Sequence, residues 1–132
     1  MVKRKILIAE DDADDQQFFT DFLQLRTDVV LLPIVENGEE LLKALNNLSY
    51  ENDLPHYIIL DQNMPRKNGL QTLQTLKADE RFSHIPVMIY STFTDENLIQ
   101  CGAESGACLV FPKPLSKAGY NEMLDALFAT AG

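Results

Sequence analysis

Five times along this chain a short apolar run gives way to a stretch with helical spacing, and four of the runs end in residues that carry chemistry. Lys5-Ile6-Leu7-Ile8-Ala9 delivers Glu10, Asp11 and Asp12, while Tyr57-Ile58-Ile59-Leu60 delivers Asp61 just before the turn-like Gln62-Asn63-Met64-Pro65. Pro86-Val87-Met88-Ile89-Tyr90 ends in Ser91-Thr92, and Cys108-Leu109-Val110-Phe111 ends in Pro112-Lys113-Pro114. Regular alternation of strand and helix, joined by right-handed crossovers, produces a parallel sheet covered on both faces. The carboxyl ends of such strands are where open α/β sheets bind ligands. Carboxylates, a hydroxyl and an ammonium group are therefore expected at one edge, a set able to hold a divalent cation and a phosphoryl group.

The helical stretches are set by apolar spacing. Phe18, Phe19, Phe22, Leu23 and Leu25 predict a first helix over about Ala13–Arg26, with Asp14 and Asp15 in the first turn, where the helix dipole favours anions. Val29–Val35 is β-branched and apolar but interrupted by Pro33, which predicts a strand near the sheet edge. Asn37-Gly38 turns the chain into a second helix carrying Leu41, Leu42, Leu45 and Leu48, and Ser49–Pro55 reads as a polar loop. Asn68-Gly69 opens a third helix with Leu70, Leu73 and Leu76 buried, and Arg81–Ile85 links it to the next strand. A fourth helix over about Asp95–Ser105 contains Gly102, a residue that costs about 1 kcal/mol against alanine inside a helix. Ser116 is placed to cap a fifth helix with Tyr120, Met123, Leu124, Leu127 and Phe128 on one side.

Composition narrows the function. A chain of 132 residues, 45% of them hydrophobic, suits one well-packed core, and the expectation is a single domain over 1–132 with its core over about 5–129. No apolar run approaches the roughly 18 residues a membrane span needs, and Ile6–Ala9 is too short for a signal peptide. Cys101 and Cys108 have neither metal spacing nor the numbers for a disulfide framework, which makes a reducing cytoplasm the default location. The formal net charge of −9 argues against direct binding to nucleic acid or an anionic membrane and leaves protein partners. His56 and His84 have no metal or catalytic partner by spacing.

The acid cluster after the first strand, Asp-Gln-Asn-Met-Pro-Arg-Lys-Asn-Gly from Asp61, Ser91 after the fourth strand and Lys113-Pro114 after the fifth resemble the receiver domain of two-component response regulators (CheY-like). The resemblance covers nearly the whole chain. It implies a flavodoxin-like (βα)5 fold, a doubly wound five-stranded sheet of order 2-1-3-4-5 in three layers. It also implies a phosphorylation-dependent switch in which Asp61 accepts a phosphoryl group from a sensor histidine kinase or phosphotransfer protein. Transferred residue by residue, Glu10, Asp11 and Asp61 become the metal-binding carboxylates and Asn63 the residue whose backbone carbonyl completes a Mg2+ site, with Mn2+ as a substitute. Ser91 takes the switch hydroxyl position, Lys113 contacts phosphate, and the Lys113–Pro114 bond is cis. The Asp61 motif also looks like that of small receivers that serve sensor kinases, including bacteriophytochromes.

These residue types suit the chemistry. A carboxylate and a phosphoryl group repel, and a hard cation with oxygen ligands removes that barrier. In-line positioning and charge neutralisation are most of what phosphoryl transfer asks of a protein. Taken alone, each motif has a plainer explanation: Glu10–Asp15 as a helix cap, Asp61 as a turn residue, Ser91-Thr92 and Lys113 as ordinary loop residues. Two departures from the family pattern bear on switching. Ser91 replaces the commoner threonine, and Val110 occupies the position, three before Lys113, that is usually aromatic. Strand alternation points Val110 and the following Phe111 to opposite faces, leaving Tyr90 and Phe93 as the aromatic residues beside Ser91. Phe93 is placed to exclude water from a phosphorylated Asp61. The expectation is a stand-alone domain whose output surface lies on the fourth helix, fifth strand and fifth helix, carrying Thr92, Phe93, Leu98, Leu109, Val110, Phe111 and Tyr120. That face would meet an unknown downstream protein or a second copy of the chain in a phosphorylation-dependent homodimer. Two other functions are compatible with the fold: a phosphorylation-independent binding module, and a magnesium-dependent aspartyl phosphatase. The latter usually needs a second aspartate where this chain has Asn63.

Overall fold

The computed structural model describes residues 3–48 and 51–130. Five strands, β1 (Arg4–Ala9), β2 (Val29–Leu31), β3 (Tyr57–Asp61), β4 (Val87–Ser91) and β5 (Leu109–Pro112), form one parallel sheet in the order β2-β1-β3-β4-β5. Between and after them run α1 (Ala13–Leu23), α2 (Gly38–Asn46), α3 (Gly69–Ala78), α4 (Glu96–Glu104) and α5 (Lys117–Thr130). The parallel sheet covered on both faces is the one expected from the alternation, and its order is the flavodoxin-like one that the family resemblance implies.

Side chains alternate between the two faces of the sheet. Ile6, Ile8, Ile59, Met88 and Tyr90 pack against Phe19 and Leu23 of α1 and Tyr120, Met123, Leu124 and Leu127 of α5. Leu7, Ala9, Ile58, Leu60, Val87 and Ile89 face Leu41 and Leu45 of α2 and Leu73 and Leu76 of α3. β3 and β4 are buried along their whole length, as the near-continuous apolar runs of central parallel strands require. Val110 and Phe111 do point to opposite faces, Val110 toward the α2–α3 core and Phe111 toward α1 and α5.

The element ends differ from expectation for local reasons. α1 stops at Leu23 rather than Arg26, because the Arg26 N–H turns back to the Leu23 carbonyl and its guanidinium is taken by Asp28 at 2.8 Å and Asp125 at 3.0 Å. β2 ends at Leu31, before Pro33, which has no N–H to give a ladder. Pairing resumes at Val35, whose N–H reaches the Ile8 carbonyl at 3.0 Å and whose carbonyl accepts from Glu10 N at 2.8 Å. The loop before β3 contains a 3-10 turn, Glu51–Asp53, while Ser49 and Tyr50 lie outside the described residues, as do Met1, Val2, Ala131 and Gly132. Ser116 does cap α5, its Oγ accepting from Gly119 N at 3.1 Å.

Gly102 has a steric reason. α4 approaches β5 so closely that a Cβ at this position would lie 2.6 Å from Val110 Cγ2. Gly69 likewise lets the start of α3 pass the end of β3, since a Cβ there would lie 2.8 Å from the Asp61 carbonyl oxygen. That close passage holds the turn after Asp61 against the sheet, with Gln62 Oε1 accepting from Leu70 N at 2.9 Å and Asn68 and Gln71 forming a reciprocal cap.

Candidate functional site

The carboxyl ends of β1, β3, β4 and β5 meet at one edge, stitched by backbone bonds from Gln62 N to the Tyr90 carbonyl at 3.0 Å and from Lys113 N to the Ser91 carbonyl at 2.9 Å. Asp61 closes β3 and is 1% exposed, although it is an acid. Lys113 Nζ lies 3.3 Å from Asp61 Oδ2, and Asn63 N donates to Asp61 Oδ1 at 3.2 Å. Glu10, wholly buried, takes Lys113 Nζ on Oε1 at 2.9 Å and Asp12 N on Oε2 at 3.1 Å. Lys113 thus ties Glu10, 103 residues earlier in the chain, to Asp61.

One oxygen each from Glu10, Asp11 and Asp61 can be chosen so that all three lie within 4.8 Å of one another. Among the described residues this is the group of three acids close enough to share a cation. The fit to a hard divalent ion is chemical as well as geometric: the donors are all carboxylate oxygens, two of them withdrawn from water. Their mutual repulsion is visible in Asp61. Burial first, and then the neighbouring Glu10 carboxylate, push its pKa up to about 8, against the opposing pull of Lys113 and the Asn63 N–H. Burial works against the Lys113 ammonium, but hydrogen bonds to Glu10 and Asp15 and the charges of Glu10 and Asp61 raise it above the ordinary lysine range. It stays a cation.

Asp12 serves as the N-cap of α1, its Oδ1 accepting from Asp14 N at 2.8 Å and Asp15 N at 3.2 Å. Ser91 is 2% exposed and at the site edge, and its Oγ accepts from Phe93 N at 3.3 Å within its own loop. Thr92 and Phe93 are exposed, Phe93 by 73%.

Several expectations are corrected. The Lys113–Pro114 bond is trans, there being no cis peptide among the described residues. Trans is the ordinary preference even before proline, and Lys113 Nζ reaches all three of its carboxylates without the bend. Leu98 and Tyr120 do not lie on a surface: Leu98 is 8% exposed under α4, and Tyr120 turns into the aromatic layer beneath the sheet. Leu109, Val110 and Phe111 are half-buried; the apolar groups that do face solvent in this region are Phe93, Ile99 and Leu115.

Two contacts were not foreseen. Asp15 Oδ2 lies 2.9 Å from Lys113 Nζ, although its place in the first turn of α1 suggested only a dipole partner. Tyr90 donates its hydroxyl to Glu10 Oε1. The signal for the second was present in the sequence: a tyrosine closing an otherwise aliphatic buried strand must find a partner for its hydroxyl. Tyr120 is the counterexample, since its buried hydroxyl has no hydrogen-bond partner among the described residues, and burial together with the Asp15 and Glu10 charges pushes that phenol up to about 12.

Comparison with known proteins agrees with this geometry. The family model for the response regulator receiver domain matches residues 6–125. The probable C4-dicarboxylate response regulator DctR of Bacillus subtilis (strain 168) is 28% identical over 121 residues, 92% of this chain. The chain spans 50% of the length of that relative. Among solved structures, the Mn2+-bound form of response regulator Rcp1 is 26% identical with a TM-score of 0.74, covering 98% of this chain and 90% of that one. The chemotaxis response regulator CheY4 of Vibrio cholerae shares the fold, with a TM-score of 0.81 at 21% identity over 96% of this chain and 99% of its own. Receiver domains bind a divalent metal and interact with histidine kinases or phosphotransfer proteins. With four strand ends converging on one buried aspartate and the family model spanning nearly all of it, this chain belongs to the response regulator receiver domains, a family whose function is a phosphorylation-dependent signalling switch.

Proposed function

We propose that Asp61 is the phosphoacceptor of a magnesium-dependent receiver domain that occupies the chain as a single domain, and that a sensor histidine kinase or phosphotransfer protein in the cytoplasm is the donor. The observation that carries this reading is the placement of Lys113 Nζ 3.3 Å from Asp61 Oδ2 inside a cluster of three acids that share 4.8 Å. Glu10, Asp11 and Asp61 hold the cation, with the Asn63 carbonyl as a further oxygen ligand, and Mn2+ can replace Mg2+. When bound, the cation neutralises charge between the carboxylate and the incoming phosphoryl group.

The protein groups then have separate tasks. An Asp61 oxygen forms a bond to phosphorus as the bond from phosphorus to the donor nitrogen breaks, the donor imidazole keeping that electron pair. Lys113, already held at the site as a cation, meets one phosphoryl oxygen as a point charge. Ser91 Oγ turns from its loop and donates to another. The domain catalyses its own phosphorylation and dephosphorylation and no other turnover. Output passes to a downstream protein, or to a second copy, through the surface carrying Phe93, Ile99 and Leu115.

Incubation with a small phosphodonor and Mg2+, followed by intact mass, tests the reading. One added phosphoryl group in the wild type and none in Asp61→Asn is expected. No addition to the wild type would favour a constitutive binding module, and repeated turnover of phosphate esters would favour a phosphatase.

A further inference from the structure

Glu10 is the member of the acid cluster that most needs to be held. Asp61 is fixed by Lys113 and the Asn63 N–H, and Asp11 lies at the solvent-facing end of the turn. Glu10 has a longer side chain and no exposure, so its carboxylate depends on donors from the protein. It has three: Asp12 N on one oxygen, and Lys113 Nζ and the Tyr90 hydroxyl on the other. Lys113 is shared with Asp15 and Asp61, and in the phosphorylated protein it is needed at a phosphoryl oxygen. The Tyr90 hydroxyl is the side-chain donor that Glu10 does not share.

Tyr90 is itself closely packed. Its ring is wholly buried, meets Phe19 edge-on at 5.5 Å and lies under Lys113 Nζ, 5.0 Å from the ring centroid. Phe19 in turn meets Tyr120 edge-on at 5.0 Å, so the ring is braced by both α1 and α5. The hydroxyl is thus delivered to Glu10 from within the packed α1–α5 layer, on the side of the sheet opposite to Val110.

We propose that Tyr90 is a positioning residue of the acidic site, its hydroxyl holding the Glu10 carboxylate where it can serve a divalent cation together with Asp11 and Asp61. This rests on the metal-site reading above. Hydrogen-bond partners of ligating carboxylates orient them, and removing one lowers metal affinity by about tenfold or more. Tyr90→Phe removes the hydroxyl and keeps the ring that packs on Phe19.

The test is a calorimetric Mg2+ titration of the wild type, Tyr90→Phe, Glu10→Gln and the double variant. The dissociation constant is expected to rise about tenfold in Tyr90→Phe and to change little further when the same substitution is made in Glu10→Gln. An unchanged or tighter constant in Tyr90→Phe overturns the proposal, as does a tenfold loss that persists without the Glu10 carboxylate, which would mark a packing effect. Absence of Mg2+ binding by the wild type would instead overturn the metal site itself. Should Tyr90→Phe fail to fold, the Tyr90 ring resonances of the wild type are followed by NMR during the titration: a shift that saturates with the cation supports the proposal, and no shift overturns it.

Discussion

Lys113 answers to three carboxylates at once, Glu10 and Asp15 at 2.9 Å and Asp61 at 3.3 Å, and with its side chain 13% exposed it has little water to fall back on. Before phosphorylation the lysine therefore balances an excess of negative charge rather than a single partner. The excess is felt at Asp61, whose carboxyl is pushed from 3.8 up to about 8 by burial and then by Glu10. A folded-state value above the unfolded one means that the folded protein holds an extra proton between those limits. The resulting stabilisation is complete below about pH 4 and is lost as pH rises through about 8. Metal-free protein in chelator is accordingly expected to melt lower at pH 9 than at pH 6, by roughly 3 °C or more, what about 1 kcal/mol is worth in a domain of this size. Asp61→Asn should flatten that difference in a thermal melt followed by circular dichroism. A wild-type profile with no fall above pH 6, or one that Asp61→Asn leaves intact, would contradict the account.

At the level of elements, α4 comes close to β5 where the strand presents Val110 and the helix faces it with Gly102. Gly102→Ala gains about 1 kcal/mol of helix propensity and meets Val110 Cγ2 at 2.6 Å. Overpacking of this kind costs about 1–3 kcal/mol, so denaturant unfolding is expected to show a net loss. The same substitution should cost less in a Val110→Ala background, where the opposing methyl is gone; equal losses in both backgrounds would show that the contact is not the cause. The elements also show what the sequence made legible. Strand alternation, the edge position of the Pro33 strand, the five helices and the Ser116 cap could be read from spacing and propensity, because those are local properties. The end of α1 could not, because Arg26 is captured by Asp125 from the far end of the chain. The acids of the site were legible as strand-end residues. The Asp15–Lys113 and Tyr90–Glu10 contacts were not, as each depends on the distance between side chains of different elements. Burial of Leu98 and Tyr120 was missed for the same reason: helical spacing gives a face but not what that face meets.

For the molecule as a whole, the sheet divides two cores, and the site at its carboxyl edge touches both. Tyr90 reaches Glu10 from the α1–α5 side, while the turn after Asp61 is held by α3 on the other. A change of charge at Asp61 is thus positioned to act on elements of both layers. Phosphorylation is expected to alter amide exchange protection along α4 and β5, next to exposed Phe93, Ile99 and Leu115, or to change the oligomeric mass. If neither moves, the output lies on another face. The claim underlying all of this is that the buried aspartate at the end of β3 takes the phosphoryl group. Treating the phosphodonor-modified protein with borohydride, which reduces an acyl phosphate to an alcohol, and mapping the peptides by mass spectrometry tests that claim directly. The account predicts that residue 61 alone becomes homoserine, in a magnesium-dependent manner. Reduction at Asp11, Asp12 or Asp15 in its place, or none in a protein that has gained the phosphoryl mass, would contradict it.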